Sequence, residues 1–595
     1  MRVGVDTGGT FTDVVSADGS IAKVPSTPDD PGRAVRTGTG AVVDRAVSRP
    51  TVLAHGTTVA TNALLERRGA VVALVTDAGF GDVIEIARQD RPSLYDPWED
   101  RPEPLVPRFL RLEVTGRLGS DGAELEPLGA VPVVPDGVDA VAVCLLHSDL
   151  NDLHEHRVAR VLAERGHDVT ASVEVSPQFR EYERTMTTVV NAYLRPTCRS
   201  YLSRLGDAAD QVLVMTSAGG LVPLERGAEV PVGLLLSGPA GGVAAAAASA
   251  AASGFPDAVT FDMGGTSTDV CLVQGGVPAP AGERMVAGFP VRQPSLDVHT
   301  IGAGGGSIAA VDAGGALAVG PRSAGAVPGP ACYGLGGTEP TVTDANLLTG
   351  RLAADAELPG IGRLRRDEAA AAFARTGIDP MDALTVVDVA MEEAVRAVSV
   401  ARGVDPTGLA LVAFGGAGPL HACAIAEALD MAAVVVPARA GVLSAVGCMA
   451  APRQHDLVRT WPGRSDLTGL DDALASLAAE AASAVPGAQV STAVECRYEG
   501  QSHEILVPTP ADFPDEHERR NGYGRPDTPV EVIAIRATAR AASPVGVNDL
   551  PAPARDGAEG PAVIAEPDCT IWVAEGWRAD PHPVSGALIL TRTGR

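Results

Sequence analysis

Three observations predict an α/β fold. Short apolar strands alternate with helical patterns over most of the chain. The octet Asp6-Thr7-Gly8-Gly9-Thr10-Phe11-Thr12-Asp13 returns as Asp262-Met263-Gly264-Gly265-Thr266-Ser267-Thr268-Asp269, with six of eight positions identical. Beyond residue 460 the pattern shifts to an Ala/Asp-rich helix followed by strands, which predicts a β-rich C-terminal domain over 461–595. The first copy of the octet falls in an N-terminal domain over 1–175 and the second in a central domain over 176–460.

Each octet lies between apolar, β-prone flanks, so each reads as a hairpin with a Gly-Gly-Thr turn. Glycine lets the backbone come close to a ligand and turn its N–H groups inward as an anion nest. The hydroxyls add donors, and the aspartates suit a hydrated divalent cation. A phosphate chain with Mg²⁺ requires this set of groups. Gly8, Gly9, Thr10 and Thr12 in one copy, and Gly264, Gly265, Thr266 and Ser267 in the other, are candidates to hold phosphate. Asp6 and Asp262, at strand ends, are candidates to orient the cation through water; the alternative is that they cap the turns. Asp13 and Asp269 read equally well as hydrogen-bonded structural residues, with Asp269 also a catalytic candidate.

In chain order, residues 2–27 form a three-strand meander with turns at Gly8-Gly9 and Asp18-Gly19. Residues 31–47 read as a helix by three- and four-residue apolar spacing. A strand, the polar turn His55-Gly56-Thr57-Thr58 and a helix follow. Residues 71–76 and 140–146 are continuous apolar runs and so buried strands, while 88–107, rich in Pro, Asp and Arg, is loop. Helices are expected over 151–165 and 179–205, and an alanine-rich one opens at Ser237-Gly238-Pro239. Glycine dominates 302–337, a composition for ligand-lining loops; Gly304 and Gly305 are candidate ligand contacts. An amphipathic helix over 388–402 precedes the strand 409–414. That strand runs into Gly415-Gly416-Ala417-Gly418 and a helix, a strand–turn–helix arrangement suited to an anion or nucleotide edge.

The net charge of −27 disfavours a nucleic-acid or anionic-membrane partner, and means a bound nucleotide depends on local nests and a cation. Lys23 is the only lysine, which removes P-loop and protein-kinase chemistry. The eight cysteines are scattered without a Cys-x-x-Cys pair and read as buried thiols of a reducing compartment. No signal peptide or convincing membrane span is evident, so the expected location is cytoplasmic.

The paired hairpins and the late Gly-Gly-x-Gly loop resemble the two-lobed actin-like ATPase fold of sugar kinases, heat-shock chaperones and actin. Within it the chain is similar to the hydantoinase A / 5-oxoprolinase family, which includes N-methylhydantoinase A and acetone carboxylase β subunits. The resemblance rests on His55-Gly56-Thr57-Thr58, Asn191-Ala192-Tyr193, Ser237-Gly238-Pro239, the second octet, 302–307, 323–333, Thr343-Asp344-Ala345-Asn346, 414–421 and 497–504. It implies two lobes clasping ATP with Mg²⁺, the octets as phosphate hairpins, and Gly415, Gly416 and Gly418 holding the adenosine. It also implies a hydantoinase B-type partner subunit in a homo- or hetero-oligomer, and ATP-driven activation of a cyclic amide such as a hydantoin, 5-oxoproline or a lactam. The close alternative is a subunit of an ATP-dependent ketone carboxylase using bicarbonate. A reading from another class is a chaperone- or actin-like ATPase that works by conformational switching.

His55 and His421 beside polar turns are further catalytic candidates, each weighed against a structural role. Asp297 and His299 form an Asp-x-His pair that would suit a second divalent metal. Asp344 reads as a helix cap or a carboxylate of the site, and His154-Glu155-His156 as solvated.

Overall fold

The computed structural model describes residues 1–27, 30–43, 49–358 and 361–594. Two mixed sheets, of ten and nine strands, form the two lobes, and each is built on the same five-strand arrangement. In the first, Ile21–Pro25, Phe11–Ser16 and Arg2–Thr7 run antiparallel as a meander, and Val52–Thr57 and Gln211–Met215 continue in parallel. In the second, Val277–Pro278, Thr268–Gln274 and Ala258–Met263 form the meander, followed by parallel Ala410–Phe414 and Ala433–Val436. The registers match as well: Asp6 lies opposite Asp13, and Asp262 opposite Asp269. The octet repeat is therefore a repeat of whole half-lobes.

Between Val52–Thr57 and Gln211–Met215 the first lobe carries an inserted four-stranded parallel sheet, ordered Val169–Ala171, Ala140–Val143, Val72–Asp77, Arg111–Val114. The long helix Glu181–Ser203 packs against it, and both belong to one continuous apolar core. The strands beyond residue 460 are shared between the lobes. Gln489–Tyr498, Ile505–Val507 and Val530–Ala541 extend the first sheet, whereas Ala558–Glu559, Trp577–Pro581 and Leu588–Arg592 extend the second. The helix expected over 31–47 is observed as Pro31–Val42, and residues 44–47 lie outside the described residues. Of the trio expected to be solvated, His154 and Glu155 are instead buried. His154 meets Glu124 at 2.6 Å, and Glu155 accepts the amides of Leu145 and Val173.

The alanine-rich helix Ser237–Ala252 and the helix Leu443–Ala450 cross between the sheets. The first packs on Ala258–Met263 of the second lobe, and the other on Arg2–Thr7 of the first. Glycine permits the crossing: a Cβ on Gly447 would lie 1.9 Å from the Gly241 carbonyl oxygen, and one on Gly4 only 2.1 Å from that of Ala445. These contacts set the lobe spacing by backbone approach. Gly447→Ala is therefore expected to cost roughly 2–4 kcal/mol and lower Tm by several degrees. Gly408→Ala, where an added Cβ meets nothing within 4 Å, serves as the near-neutral control in the same thermal denaturation.

Candidate functional site

The two hairpins come from different lobes and meet tip to tip. A Cβ on Gly265 would lie 3.9 Å from Thr10 Oγ1, and the two turns share one closure: Gly8 N–H donates to Phe11 O and Gly264 N–H to Ser267 O, each at 3.0 Å. Among the described residues the amides of Gly9, Thr10, Gly265 and Thr266 reach no protein acceptor. The hydroxyls of Thr10, Thr266 and Ser267 also have no protein partner among those residues. A crevice lined by free N–H and O–H donors from both sides suits an anion.

Behind the tips lie two rows of side chains. In the first lobe the register aligns Lys23, Asp13, Asp6 and Gly56 across four strands. In the second it aligns Thr300, Asp269, Asp262 and Phe414. Like charges directly opposite one another in an antiparallel pair repel, so each row needs a cation or a proton. Burial pushes the Asp6 carboxyl up to about 7, with Asp13 adding to the effect and Lys23 opposing it. Asp13 is raised by burial against the pull of Lys23, whose Nζ lies 2.9 Å from its carboxylate and 3.1 Å from Gly441 O. Asp262 is driven well above the carboxylate range by burial, by Asp269 and, across the crevice, by Asp6 and Asp13. Burial raises Asp269 to about 6 while the Thr300 hydroxyl pulls it down.

Asp6 Oδ1 is buried without a hydrogen-bond partner, which fits a cation ligand. Glycines make room for these carboxylates: a Cβ on Gly56 or Gly238 would come within 2.8 Å of Asp6 Oδ1, and one on Gly415 would strike Asp262. The hairpin aspartates are not among the groups whose ligand atoms cluster tightly enough to share an ion directly. Asp6 and Asp262 could accordingly hold a divalent cation through its waters, as Mg²⁺, which keeps its waters, allows.

The second hairpin is braced by the glycine-rich loop. Gly305 N–H donates to Gly264 O at 3.0 Å, Gly306 N–H to Gly265 O at 2.6 Å, and Thr268 Oγ1 to Ala303 O at 2.7 Å. Gly304 and Gly305, expected as ligand contacts, thus spend their amides on Ser307 and on the hairpin. Thr12, expected to hold phosphate, is buried and bonded to Ser26. Gly415 donates to Ala440 O, whereas Gly416 faces open space and Gly418 begins the uncapped helix Gly418–Ala428.

Several other candidates lie outside the crevice. His55 pairs with Val5, one residue from the Asp6–Gly56 pair, and strand alternation turns it to the opposite face. There it is fully buried, 2.8 Å from the Tyr201 hydroxyl, and burial pushes its pKa down to about 4. His421 is also fully buried, with Nδ1 2.5 Å from Asp388 and Nε2 3.1 Å from Asn346, so both nitrogens are occupied. Asp297 is ion-paired with Arg402, and His299 is exposed on the edge strand His299–Ile301, so the two do not form a metal site. Among the described residues the one group of three suitable ligands is Glu566, Asp568 and Cys569, and there Glu566 pairs with Arg555 while Asp568 accepts the Gly441 amide. Asp344 caps its helix, accepting from Ala331, Cys332 and Thr341. Sequence reasoning missed Lys23, Thr300, Gly56 and Gly238 as parts of the site. A signal was present for Lys23, since continuing the meander register from Asp6–Asp13 to the third strand arrives at it, and Gly56 and Gly238 lie within the motifs His55-Gly56-Thr57-Thr58 and Ser237-Gly238-Pro239.

Two family models match: hydantoinase/oxoprolinase over residues 184–456 and the hydantoinase/oxoprolinase N-terminal region over 2–166. The chain is 35% identical to caprolactamase subunit alpha of Pseudomonas jessenii over 680 aligned residues, covering 98% of each chain. It is 34% identical to 5-oxoprolinase 1 of Arabidopsis thaliana, over 75% of this chain and 41% of that one. It is 35% identical to the acetophenone carboxylase gamma subunit of Aromatoleum aromaticum, over 75% of this chain and 67% of that one. The crystal structure of the ATP-dependent caprolactamase from Pseudomonas jessenii superposes with a TM-score of 0.86 at 32% identity, covering both chains fully. Nucleotide-free acetone carboxylase, with a TM-score of 0.79 at 22% identity, shares the fold. The lobes are those of the actin-like ATPase fold.

The raised carboxyl pKa values set a pH dependence. Each of these groups holds its proton more tightly in the folded chain than in the unfolded one. Stability is therefore lost as pH rises from the ordinary carboxylate range through the folded values, about 6 for Asp269 and about 7 for Asp6. Relative to wild type, Asp262→Asn is expected to raise Tm of the nucleotide-free chain at pH 8 by roughly a few degrees and to leave it nearly unchanged at pH 5. Added Mg²⁺ should stabilise wild type more at pH 8 than at pH 5, and the variant at neither. Differential scanning fluorimetry at the two pH values reads both.

Proposed function

The chain belongs to the hydantoinase/oxoprolinase family, and from that premise we propose that it is the ATP-dependent subunit of a cyclic-amide hydrolase. Its substrate is a lactam, a hydantoin or 5-oxoproline, and it opens the ring together with a B-type subunit. The observation that carries this reading is the meeting of two donor-lined hairpins over four carboxylates.

The chemistry follows from the amide. Amide resonance makes its carbon a poor electrophile and its ring nitrogen a poor leaving group. Transfer of the γ-phosphoryl group of ATP to the amide oxygen, with release of ADP, removes that resonance. Water then adds to the carbon, the C–N bond breaks with protonation of the nitrogen, and phosphate is released. The protein's share is positioning and charge neutralisation. The tip amides of Gly9, Thr10, Gly265 and Thr266, with the free hydroxyls, hold phosphate oxygens. Asp6 and Asp262 hold a hydrated Mg²⁺, which when bound neutralises phosphate charge. Gly416 and the N-terminus of Gly418–Ala428 receive the nucleoside side. Lys23 is occupied by Asp13 and Gly441 and orients the first row. Asp13 and Asp269 act through Asp6 and Asp262, and His55 and His421 support the strand and helix that carry the crevice glycines.

A B-type partner is supported by the likeness to a protein named as a subunit. A cytoplasmic location is supported by eight buried free cysteines. No helix among the described residues is long and apolar enough to cross a membrane. A second reading, a subunit of an ATP-dependent ketone carboxylase, is favoured by the similarity to acetophenone carboxylase.

ADP release from the chain co-expressed with a B-type subunit separates these readings. Caprolactam, hydantoin or 5-oxoproline alone is expected to stimulate it at least about tenfold, and Asp262→Asn to lower that turnover roughly a hundredfold or more. Stimulation that requires bicarbonate plus a ketone would establish the carboxylase instead. Stimulation by unfolded peptide and by no small molecule would overturn both.

A further inference from the structure

A second cavity, of about 300 Å³, shares no residue with the crevice. It lies where the inserted sheet's loops, the start of the helix Glu181–Ser203 and the segment after Thr460 come together, and that volume is enough for a small ligand. Four arginines line it in a chain of net charge −27. Three are occupied by carboxylates: Arg88 by Glu183 at 2.5 Å, Arg180 by Glu504 at 2.8 Å and Arg497 by Glu531 at 2.8 Å. Arg464 has no ion-pair or hydrogen-bond partner for its side chain among the described residues.

Two further features point the same way. The helix Glu181–Ser203 begins at the cavity wall without a side-chain cap, so the amides of its first turn and its dipole are aimed where an anion would sit. Three non-glycine residues of the lining hold left-handed backbone: His147 at φ 58°, Arg180 at 76° and Arg464 at 48°. A glycine would take that conformation without strain, so side chains held there at a cost are concentrated on one cavity. The rest of the wall is mixed. Leu150, Phe179 and the buried Trp461, whose indole N–H is spent on Asp466 O at 3.2 Å, form its apolar part. Of the two carboxylates on it, Asp149 is neutralised by Arg184 at 2.7 Å, while Glu181 opens the helix.

We propose that this cavity is a second ligand site, for a small organic carboxylate. The carboxylate sits on Arg464 and the first-turn amides, and its hydrocarbon lies against Trp461 and Phe179. The assignment does not depend on the reaction proposed for the crevice. Isothermal titration of the full-length chain with hexanoate, hexylamine and inorganic phosphate tests it, each with and without Mg²⁺-ADP.

Hexanoate is expected to bind once per chain with Kd below about 1 mM, unaffected by Mg²⁺-ADP, with hexylamine and phosphate at least roughly tenfold weaker. Arg464→Met is expected to weaken hexanoate roughly tenfold or more and Arg464→Lys by less than about threefold. Arg464 is exposed, and a Tm matching wild type shows that each variant is folded. Absence of hexanoate binding up to about 10 mM, loss of binding with Mg²⁺-ADP, equal binding of phosphate, or wild-type affinity in Arg464→Met would each overturn the proposal.

Discussion

Two rows of carboxylates, held in place by strand register, face one another across the cleft between the lobes. Asp6 opposes Asp13 and Asp262 opposes Asp269 in ladders that cannot slip, because a one-residue shift would turn the apolar face of each strand outward. The resulting repulsion is met differently on the two sides. Lys23, the only lysine of the chain, neutralises the first row, and a threonine hydroxyl faces the second. The second row is therefore left short of positive charge. That explains why Asp262 is displaced furthest from an ordinary carboxyl, and it is the electrostatic basis for the cation proposed there.

Everything around these rows keeps them close without crowding them. Gly56 and Gly238 clear space for Asp6, and Gly415 clears it for Asp262. The paired helices at the centre cross through Gly241 and Gly447 at a distance no side chain allows. The glycine-rich loop after Gly302 braces the second hairpin by backbone hydrogen bonds, so the hairpin's own tip amides stay free. Glycine here serves the geometry of the carboxylates as much as that of the ligand.

The likeness between the half-lobes also shows where they diverge. The first lobe accepts a parallel sheet between its fourth and fifth strands, and the chain after Thr460 adds strands to both sheets. Those additions build the second, arginine-lined cavity, which has no counterpart in the repeated part of the fold. Its chemistry separates from that of the crevice: four guanidinium groups beside Phe179 and Trp461 in one, free hairpin amides over paired aspartates in the other.

Local pattern was enough to read the hairpins, the strand–helix alternation, the long helices and the glycine turn after Phe414, because turn chemistry and apolar periodicity act within a few residues. It also singled out Asp6, Asp262 and the tip residues of both turns, which the fold places at one crevice with the tip amides unpaired among the described residues. Polar side chains beside turns were misjudged when their direction was set elsewhere. His55 faces Tyr201 because its strand neighbour faces the cleft, and His421 is consumed by Asp388 and Asn346 from two other helices. Thr12 and Gly304 looked like ligand contacts, but Thr12 is taken by Ser26 at the end of the meander and Gly304 by Ser307 three residues on in its own loop. By itself, then, the sequence determined the repeated half-lobe and the chemistry of its turns, since both are written in contiguous residues. Tertiary structure decided that the two turns meet, which donors remain free, and where the C-terminal strands attach, because each of these depends on partners far apart along the chain competing for the same hydrogen bonds and the same space.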